Sequence, residues 1–304
     1  MPETLPPPHE CPIGWIGTGV MGSAMVGHLL DAGHPVVVTT RTAERARPLV
    51  ERGARWADSP AEVSAGALVV GVMVGTPTDV QAVIAGDGTG TGVLEALAPG
   101  AAIIDFTTST PSLAAELATA GAERGVSVLD APVSGGDVGA RNATLSIMIG
   151  GDTVAVDRCR PLLDRLGHTI VHHGPAGSGQ HAKAVNQTLV AGTMIGLCEA
   201  LVYAHRAGLD PGSVLASVSG GAAASWSLTN LAPRILSDDL APGFAVRHFV
   251  KDLGIVLAES SRMGLDLPGV QLADELYRDL VAHGEGELGT HALVRAIERR
   301  VPHR

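Results

Sequence analysis

The sequence predicts an α/β protein, with a doubly wound parallel sheet in its N-terminal half and an all-helical domain in its C-terminal half, joined by a long helix. Three observations predict this arrangement. Short apolar strand patterns alternate with helical patterns over the first half of the chain, which is the order of a parallel sheet with right-handed crossovers. A glycine-rich turn separates the first strand from the first helix. From residue 178 onward the apolar spacing is helical.

Length and composition agree with two domains. The chain has 304 residues, which exceeds the usual size of one domain, and 45% of them are hydrophobic against 17% charged, enough for a large core. Aromatic residues make up only 3%, so we expect an aliphatic core. We predict a disordered tail over residues 1–12, a sheet-containing domain over residues 13–177 and an all-helical domain over residues 178–304.

The first half contains seven predicted strands with helices between them. The strands cover residues 13–16, 36–38, 68–74, 102–106 and 126–129, followed by a pair around residues 145–149 and 169–172. The first predicted helix follows the glycine-rich turn and ends at Leu30. Two further helices cover residues 43–52 and 77–84, and two more begin after the Ser-Pro pair at residues 59–60 and the Thr-Pro pair at residues 110–111.

The turn after the first strand has the G-x-G-x-x-G pattern of a Rossmann-type dinucleotide site. Gly17 permits a tight turn, Gly19 lets the backbone approach a pyrophosphate, and Gly22 lets the helix pack on the strand. The other residues of the loop are Thr18, Val20 and Met21. The alternative is a purely structural glycine turn, but the order of strand, turn, helix and second strand favours a cofactor site.

The end of the second strand predicts a preference for NADP(H) over NAD(H). An NAD site usually has an acidic residue there, whereas this chain has Thr40, Arg41 and Thr42, with no acid before Glu44. An arginine between hydroxyl residues suits a 2′-phosphate. The alternative is an ordinary exposed arginine, with Thr42 capping the next helix.

Residues 179–187 open a long apolar helix with a polar stripe. Gln180, Lys183 and Asn186 or Gln187 recur every three to four residues, so they share one face. Loss of water around a lysine favours its neutral form, which can exchange protons. The alternative is a surface lysine on the first helical turn. Further helices are predicted over residues 211–219, 228–235, 250–263, 268–283 and 290–300.

Charge and cysteine content exclude several classes of partner. The net charge is −10 and the 21 basic residues are scattered, which argues against nucleic acid. Cys11, Cys159 and Cys198 are far apart, so they indicate neither a disulfide framework nor a zinc site, and a cytoplasmic location is expected. We expect no signal peptide and no transmembrane segment, because Glu199 interrupts the longest apolar run.

Four stretches together resemble the β-hydroxyacid dehydrogenase family, which includes 3-hydroxyisobutyrate dehydrogenase, tartronate semialdehyde reductase and 6-phosphogluconate dehydrogenase. Residues 17–22 resemble its cofactor loop, residues 130–136 its D-A-P-V-S-G-G substrate motif, and residues 177–186 its G-x-G-x-x-x-K-x-x-N catalytic motif. Lys251 and Asp252 resemble its Lys-Asp pair. The resemblance covers nearly the whole chain after the tail.

The resemblance implies roles for residues that the spacing leaves open. Lys183 is expected as general acid/base, with Asn186 orienting the substrate. Ser134 and the backbone of Gly135 and Gly136 are expected to hold the substrate carboxylate, and Lys251 is expected to complete the substrate-binding site. Cofactor contacts are expected from Met73, Val74, Thr108, Lys251 and Asp252, in addition to the loop and Thr40, Arg41 and Thr42. No metal site is implied.

The chain departs from the family pattern at Gln187, where a second Asn is common, at Gly75, where Pro is frequent, and at residues 40–42. We expect the first departure to affect substrate choice. The sequence predicts an NADP(H)-dependent oxidoreductase of a small carboxylate-bearing β-hydroxyacid, assembled as a homodimer or homotetramer. The alternatives are imine reduction on the same scaffold and a noncatalytic nucleotide-binding module. Lys183 argues against imine reduction, and the intact set of Lys183, Asn186, Ser134 and Lys251 argues against a binding module.

Overall fold

The computed structural model describes residues 4–86 and 91–301. Its packing divides the chain into two compact units, Met1–Lys183 and Ala184–Arg304. The division falls inside the long helix Ser178–Arg206. The domain boundary predicted after Gly177 lies just before this helix, whereas the first turns of the helix pack with the first unit.

The first unit contains one nine-stranded sheet. Its strands are β1 (Ile13–Ile16), β2 (Val36–Thr39), β3 (Arg55–Trp56), β4 (Val69–Val72), β5 (Ala102–Asp105), β6 (Ser127–Asp130), β7 (Val133–Ser134), β8 (Leu145–Gly150) and β9 (Gly167–Gly174). The order is β3-β2-β1-β4-β5-β6-β8-β7, and β9 also pairs with β8. The chain therefore changes direction across the sheet at β1, which places the loop after β1 at the switch point of a doubly wound fold.

The sheet is parallel from β1 to β6, as predicted, but β8 runs antiparallel to both β6 and β7. The sheet is therefore mainly parallel, as the predicted doubly wound fold requires, with an antiparallel addition at this edge. A parallel pairing needs a crossover of about a dozen residues or more. The link from β7 to β8 contains only the short helix Gly136–Arg141 and a turn, so the chain folds back instead.

Eight helices follow the strands within the described part of the first unit. They are α1 (Val20–Asp31), α2 (Arg47–Glu51), α3 (Pro60–Ser64), α4 (Pro77–Ala85), α5 (Val93–Ala96), α6 (Pro111–Ala122), α7 (Gly136–Arg141) and α8 (Thr153–Leu163). The helix predicted over residues 43–52 is divided into a 3-10 turn, Ala43–Arg45, and α2. Proline is tolerated only in the first turn of a helix, so Pro48 makes α2 begin at Arg47.

Alternate residues of the strands pack into separate apolar clusters. Val69, Ala102 and Ile104 belong to one cluster, and Val70 and Ile103 to another. Successive strand residues face opposite sides of a sheet, so helices cover both faces.

Residues 4–12 are partly packed against the first unit, although four of them remain exposed. Leu5 contacts the sheet core, Pro8–Glu10 forms a 3-10 turn, and Cys11 is fully buried, with its carbonyl oxygen 3.1 Å from Nδ1 of His34. The prediction of a disordered tail therefore does not describe these residues, since Cys11 continues the apolar surface that β1 buries. The remainder of that predicted tail, residues 1–3, lies outside the described residues.

The second unit is built from helices around its own core. They are the continuation of α9 (Ser178–Arg206), then α10 (Pro211–Val218), α11 (Trp226–Asn230), α12 (Ala232–Leu236), α13 (Val246–Arg262), α14 (Pro268–Ala282) and α15 (Leu293–Arg299). The single helix predicted over residues 228–235 is two helices that meet at Leu231, because Pro233 fits only the first turn of α12. Phe249 and Tyr277 pack edge to face at the centre, 4.8 Å between ring centroids.

Helix α9 is long and apolar enough to cross a membrane, by length and composition alone, with a mean hydropathy of 1.3 over its most apolar window. One such helix is only a weak indication of a membrane span, so the absence of a transmembrane segment stays a prediction. Core helices of soluble proteins pass the same test. Met194, Leu197 and Cys198 of α9 lie in the core of the second unit.

Candidate active site

The loop between β1 and α1 has the geometry of a phosphate-binding turn. Gly17 has φ +97°, and a Cβ atom there would collide with the carbonyl oxygen of Met73. A Cβ atom at Gly22 would collide with the carbonyl oxygen of Gly17. A Cβ at Gly19 would instead meet nothing within 4 Å. The outer two glycines are thus required by the packing, and the middle one leaves open space for an approaching ligand.

The first turn of α1 borders this space. Gly19 is its N-cap, so the helix has no side-chain cap at this end. The first N–H groups of a helix have no partner within the helix and attract phosphate. The hydroxyl of Thr18 is buried and has no hydrogen-bond partner among the described residues. These features fit the pyrophosphate of a dinucleotide cofactor, with Val20 exposed at the start of the helix.

Arg41 lies after β2, as predicted, but it has a partner that sequence reasoning missed. Its Nη1 is 3.3 Å from Oδ1 of Asp79, on the first turn of α4. Thr42 precedes the 3-10 turn, but its side chain makes no capping bond, so the alternative role given to Thr42 is not seen. No local sequence pattern indicates this pair, because Asp79 is 38 residues away from Arg41 in the chain.

The ends of β4 and β5 are joined by polar contacts. The N–H of Val74 donates to Oγ1 of Thr107 over 3.0 Å, and the N–H of Thr107 donates to Oδ1 of Asp105 over 2.9 Å. Thr108, half-buried, follows directly, and Met73 is also half-buried. The predicted cofactor residues of these two strands are thus held at the same edge of the sheet as the glycine loop.

Gln180 connects the first turn of α9 to this edge. Its Oε1 accepts the N–H of Ser109 over 2.9 Å, and its Nε2 donates to the carbonyl oxygen of Thr107 over 2.8 Å. The side chain is buried, at 2% exposure. The polar stripe predicted on this helix therefore contacts the strand ends through Gln180.

Asp130, at the end of β6, fixes the same helical turn. Its carboxylate accepts the N–H of Gly177 over 2.8 Å and that of Gln180 over 2.9 Å. Burial raises the pKa of Asp130, and these backbone N–H bonds oppose the rise. Asp130 is the first residue of the predicted substrate motif, and no local spacing indicates its bonds to Gly177 and Gln180, which are 47 and 50 residues away.

Lys183, one helical turn further, is 7% exposed, which excludes the alternative of a surface lysine. Its Nζ donates to the carbonyl oxygen of Val133 over 2.9 Å. Ser134 follows Val133 directly, and Gly135 and Gly136 have φ values of +129° and +61°. The fold therefore brings the predicted catalytic lysine against the segment predicted to bind the substrate carboxylate.

The remaining predicted residues form a polar chain in the second unit. Asn186 Nδ2 donates to Gln187 Oε1 over 2.7 Å, and Gln187 Nε2 donates to Asp252 Oδ2 over 2.6 Å. Lys251 Nζ lies 3.0 Å from Oδ1 of the same carboxylate. Gln187, identified in the sequence only as a departure, thus bridges Asn186 to the Lys-Asp pair.

Family models match both parts of the chain. The model described as the NAD binding domain of 6-phosphogluconate dehydrogenase matches residues 12–174. The model described as NAD-binding of NADP-dependent 3-hydroxyisobutyrate dehydrogenase matches residues 177–297. Together they cover the glycine loop, the strand ends and the helical residues described above.

Known proteins resemble the chain over nearly its whole length. A probable mitochondrial 3-hydroxyisobutyrate dehydrogenase-like protein of Arabidopsis thaliana is 50% identical over 96% of this chain and 86% of its own. The 2-hydroxy-3-oxopropionate reductase of Escherichia coli is 35% identical over 96% and 99%. A structure of a Mycobacterium tuberculosis 3-hydroxyisobutyrate dehydrogenase with L-serine superposes with a TM-score of 0.85 at 30% identity, over 96% of this chain and 99% of that one.

Proposed function

Because the chain belongs to the β-hydroxyacid dehydrogenase family, we propose that it interconverts a small β-hydroxyacid and its semialdehyde or keto partner, with Lys183 as the general acid/base. It is an NAD(P)-dependent oxidoreductase, as its relatives are named. The observation that carries the proposal is the buried Lys183, held 2.9 Å from the carbonyl oxygen of Val133, beside Ser134 and the two glycines.

The nicotinamide cofactor supplies the hydride acceptor or donor when bound. The protein's own contribution is to move a proton. Lys183 Nζ takes the hydroxyl proton during oxidation and returns it to the carbonyl oxygen during reduction. A positioned group of this kind contributes about a hundred- to ten-thousand-fold in rate. Gln180 and Asp130 hold the helical turn that carries Lys183, which fixes the position of the lysine relative to the strand ends.

The proposed substrate carries a carboxylate separated by one carbon from the hydroxylated carbon. Ser134 offers a hydroxyl, and the left-handed backbone at Gly135 and Gly136 turns N–H groups into an anion-binding arrangement. Asn186 and Lys251 of the second unit are proposed to orient the substrate. The named compounds of the relatives, 3-hydroxyisobutyrate, 2-hydroxy-3-oxopropionate and L-serine, all pair a carboxylate with a nearby hydroxyl group.

The proposed cofactor is NADP(H) in preference to NAD(H). Arg41 exposes 84% of its side chain at the end of β2, where a 2′-phosphate is read by charge-assisted hydrogen bonds. The family model that matches the helical part is described as NADP-dependent. Residues Thr40, Thr42, Lys251 and Asp252 are proposed as further cofactor contacts. We also propose a cytoplasmic location, since three free, buried cysteines suit a reducing compartment.

The test is turnover by Lys183→Ala over a panel of small β-hydroxyacids, semialdehydes and one cyclic imine, with both cofactors. We expect a loss of about a hundredfold or more in kcat, while NADPH binding, followed by its fluorescence, changes less than threefold. Lys183→Arg is the matched variant. It keeps the positive charge, but the arginine side chain stays protonated and so cannot take up the hydroxyl proton. Wild-type turnover by Lys183→Ala on a verified substrate would contradict the proposal, and turnover of the imine alone would favour imine reduction.

A further inference from the structure

A carboxylate lies beside the arginine that the cofactor proposal depends on. Asp79 Oδ1 is 3.3 Å from Arg41 Nη1. The end of β2 has no acidic residue of its own, and this absence favours NADP(H) over NAD(H). In the folded chain the acid is nevertheless supplied by the first turn of α4.

The two side chains of this pair differ in freedom. Asp79 is fixed by reciprocal capping bonds, since Thr76 Oγ1 donates to Asp79 Oδ2 over 2.8 Å and the N–H of Asp79 donates to Thr76 Oγ1 over 3.1 Å. The side chain of Asp79 is 27% exposed, whereas that of Arg41 is 84% exposed. The arginine can therefore move to meet a ligand, while the carboxylate stays at the N-terminus of α4, where its charge is favoured.

We infer that Asp79 is a specificity-determining residue that restrains the preference for a 2′-phosphate and lets 2′-hydroxyl cofactors compete. The inference rests on the proposed role of Arg41. A phosphate monoester carries about 1.5 to 2 negative charges at neutral pH, so at Arg41 it meets a neighbour of the same sign. It must also share the guanidinium donors with Asp79. A cofactor with a free 2′-hydroxyl carries no charge there for Asp79 to repel and does not compete with Asp79 for the guanidinium.

Binding of the adenosine end alone tests this without turnover. Calorimetric titration of 2′,5′-ADP and of 5′-AMP would be compared in the wild type, Asp79→Asn, Arg41→Ala and the double variant. Asp79→Asn keeps an oxygen for the Thr76 hydroxyl. We expect it to tighten 2′,5′-ADP by about three- to tenfold, with 5′-AMP unchanged within twofold and a smaller effect at high salt. The matched control is Asp164→Asn, an exposed acid 2.7 Å from Arg160 in the same unit, which should change neither ligand.

The outcomes separate this inference from the proposed cofactor preference. If Arg41→Ala weakens 2′,5′-ADP selectively while Asp79→Asn changes nothing, the role of Asp79 is overturned and the NADP(H) preference stands. If Arg41→Ala leaves the ratio of the two affinities unchanged, both the inference about Asp79 and the proposed NADP(H) preference are contradicted. An undiminished effect of Asp79→Asn in the Arg41→Ala background would also overturn the inference, because Asp79 would then not act through the arginine.

Discussion

Gln187 spans a distance that a shorter side chain cannot. Its amide oxygen accepts a bond from Asn186, and its amide nitrogen donates to Asp252, both residues lying in the second unit. Gln187 and Asp252 are each 2% exposed. The Asn that is common at this position in the family is one methylene shorter than Gln187 and would lose one of these bonds. The departure is therefore a structural bridge, which holds the proposed substrate and cofactor residues of this unit.

We predict that Gln187→Glu destabilises the protein in a pH-dependent manner. A second carboxylate beside buried Asp252 leaves an uncompensated charge, which costs roughly 3 kcal/mol. Burial raises the pKa of the new carboxyl above its unfolded value of about 4.3. The loss of stability is therefore smallest below that pH and grows as the pH rises toward the folded pKa.

Urea unfolding at several pH values measures this difference. Gln271→Glu is the matched control, because Gln271 also donates to an aspartate, Asp266 over 2.8 Å, but is exposed. It should change the free energy of unfolding by less than about 0.5 kcal/mol. Equal effects of the two substitutions, or a deficit independent of pH, would show that the Gln187 bridge is not buried as described.

At the scale of elements, the first turn of α9 is the most constrained part of the candidate site. Asp130 accepts two of its backbone N–H groups, and Gln180 binds the chain after β5. A Cβ atom at Gly179 would collide with the carbonyl oxygen of Met148 on β8, and one at Gly150 would collide with the carboxylate of Asp130. The position of Lys183 in the first unit is therefore set by strand ends and not by the helix alone.

We predict that Asp130→Asn lowers the free energy of unfolding by about 1 to 3 kcal/mol, because the new amide group faces an N–H that then lacks an acceptor. It should also lower kcat more than it changes KM, since Lys183 is displaced. Asp152→Asn is the control: Asp152 caps α8 through a 3.0 Å bond to the N–H of Ala155, and Asn caps a helix as well as Asp does. Equal stability of the two variants would contradict the role of Asp130.

At the scale of the molecule, the second unit exposes large apolar side chains. Val185, Leu189 and Tyr203 of α9 are 63%, 68% and 74% exposed, and Trp226 is 59% exposed. Helix α10 is apolar, yet none of its residues is buried. Exposed apolar surface of this kind marks association, so a homodimer or homotetramer formed through the helical unit remains our prediction.

Light scattering at micromolar concentration should find no monomer in the wild type. The double variant Leu189→Glu, Tyr203→Glu should shift the mass toward the monomer, because it puts charges into the proposed interface. Val154→Glu is the control, as Val154 is 58% exposed on α8 of the first unit. A monomeric wild type, or dissociation by Val154→Glu alone, would contradict an interface on the helical unit.

The sequence by itself determined the features that depend on neighbours in the chain. The glycine loop, the alternation of strands and helices, and the stripe of Gln180 and Lys183 follow from backbone freedom and from spacings of two or three to four residues. The same local patterns carried the family resemblance, so the reaction class was predictable. The helix breaks before Pro48 and Pro233 are equally local, because proline fits only the first turn of a helix.

Only the tertiary structure decided the pairs that are remote in the chain. Asp79 lies 38 residues from Arg41, Asp252 lies 65 from Gln187, and Thr107 lies 73 from Gln180. No local spacing encodes such pairs, because each depends on which strands are neighbours and on how the connecting helices pack. The position of Asp79 beside Arg41 is therefore set by the strand order that places the start of α4 next to the end of β2.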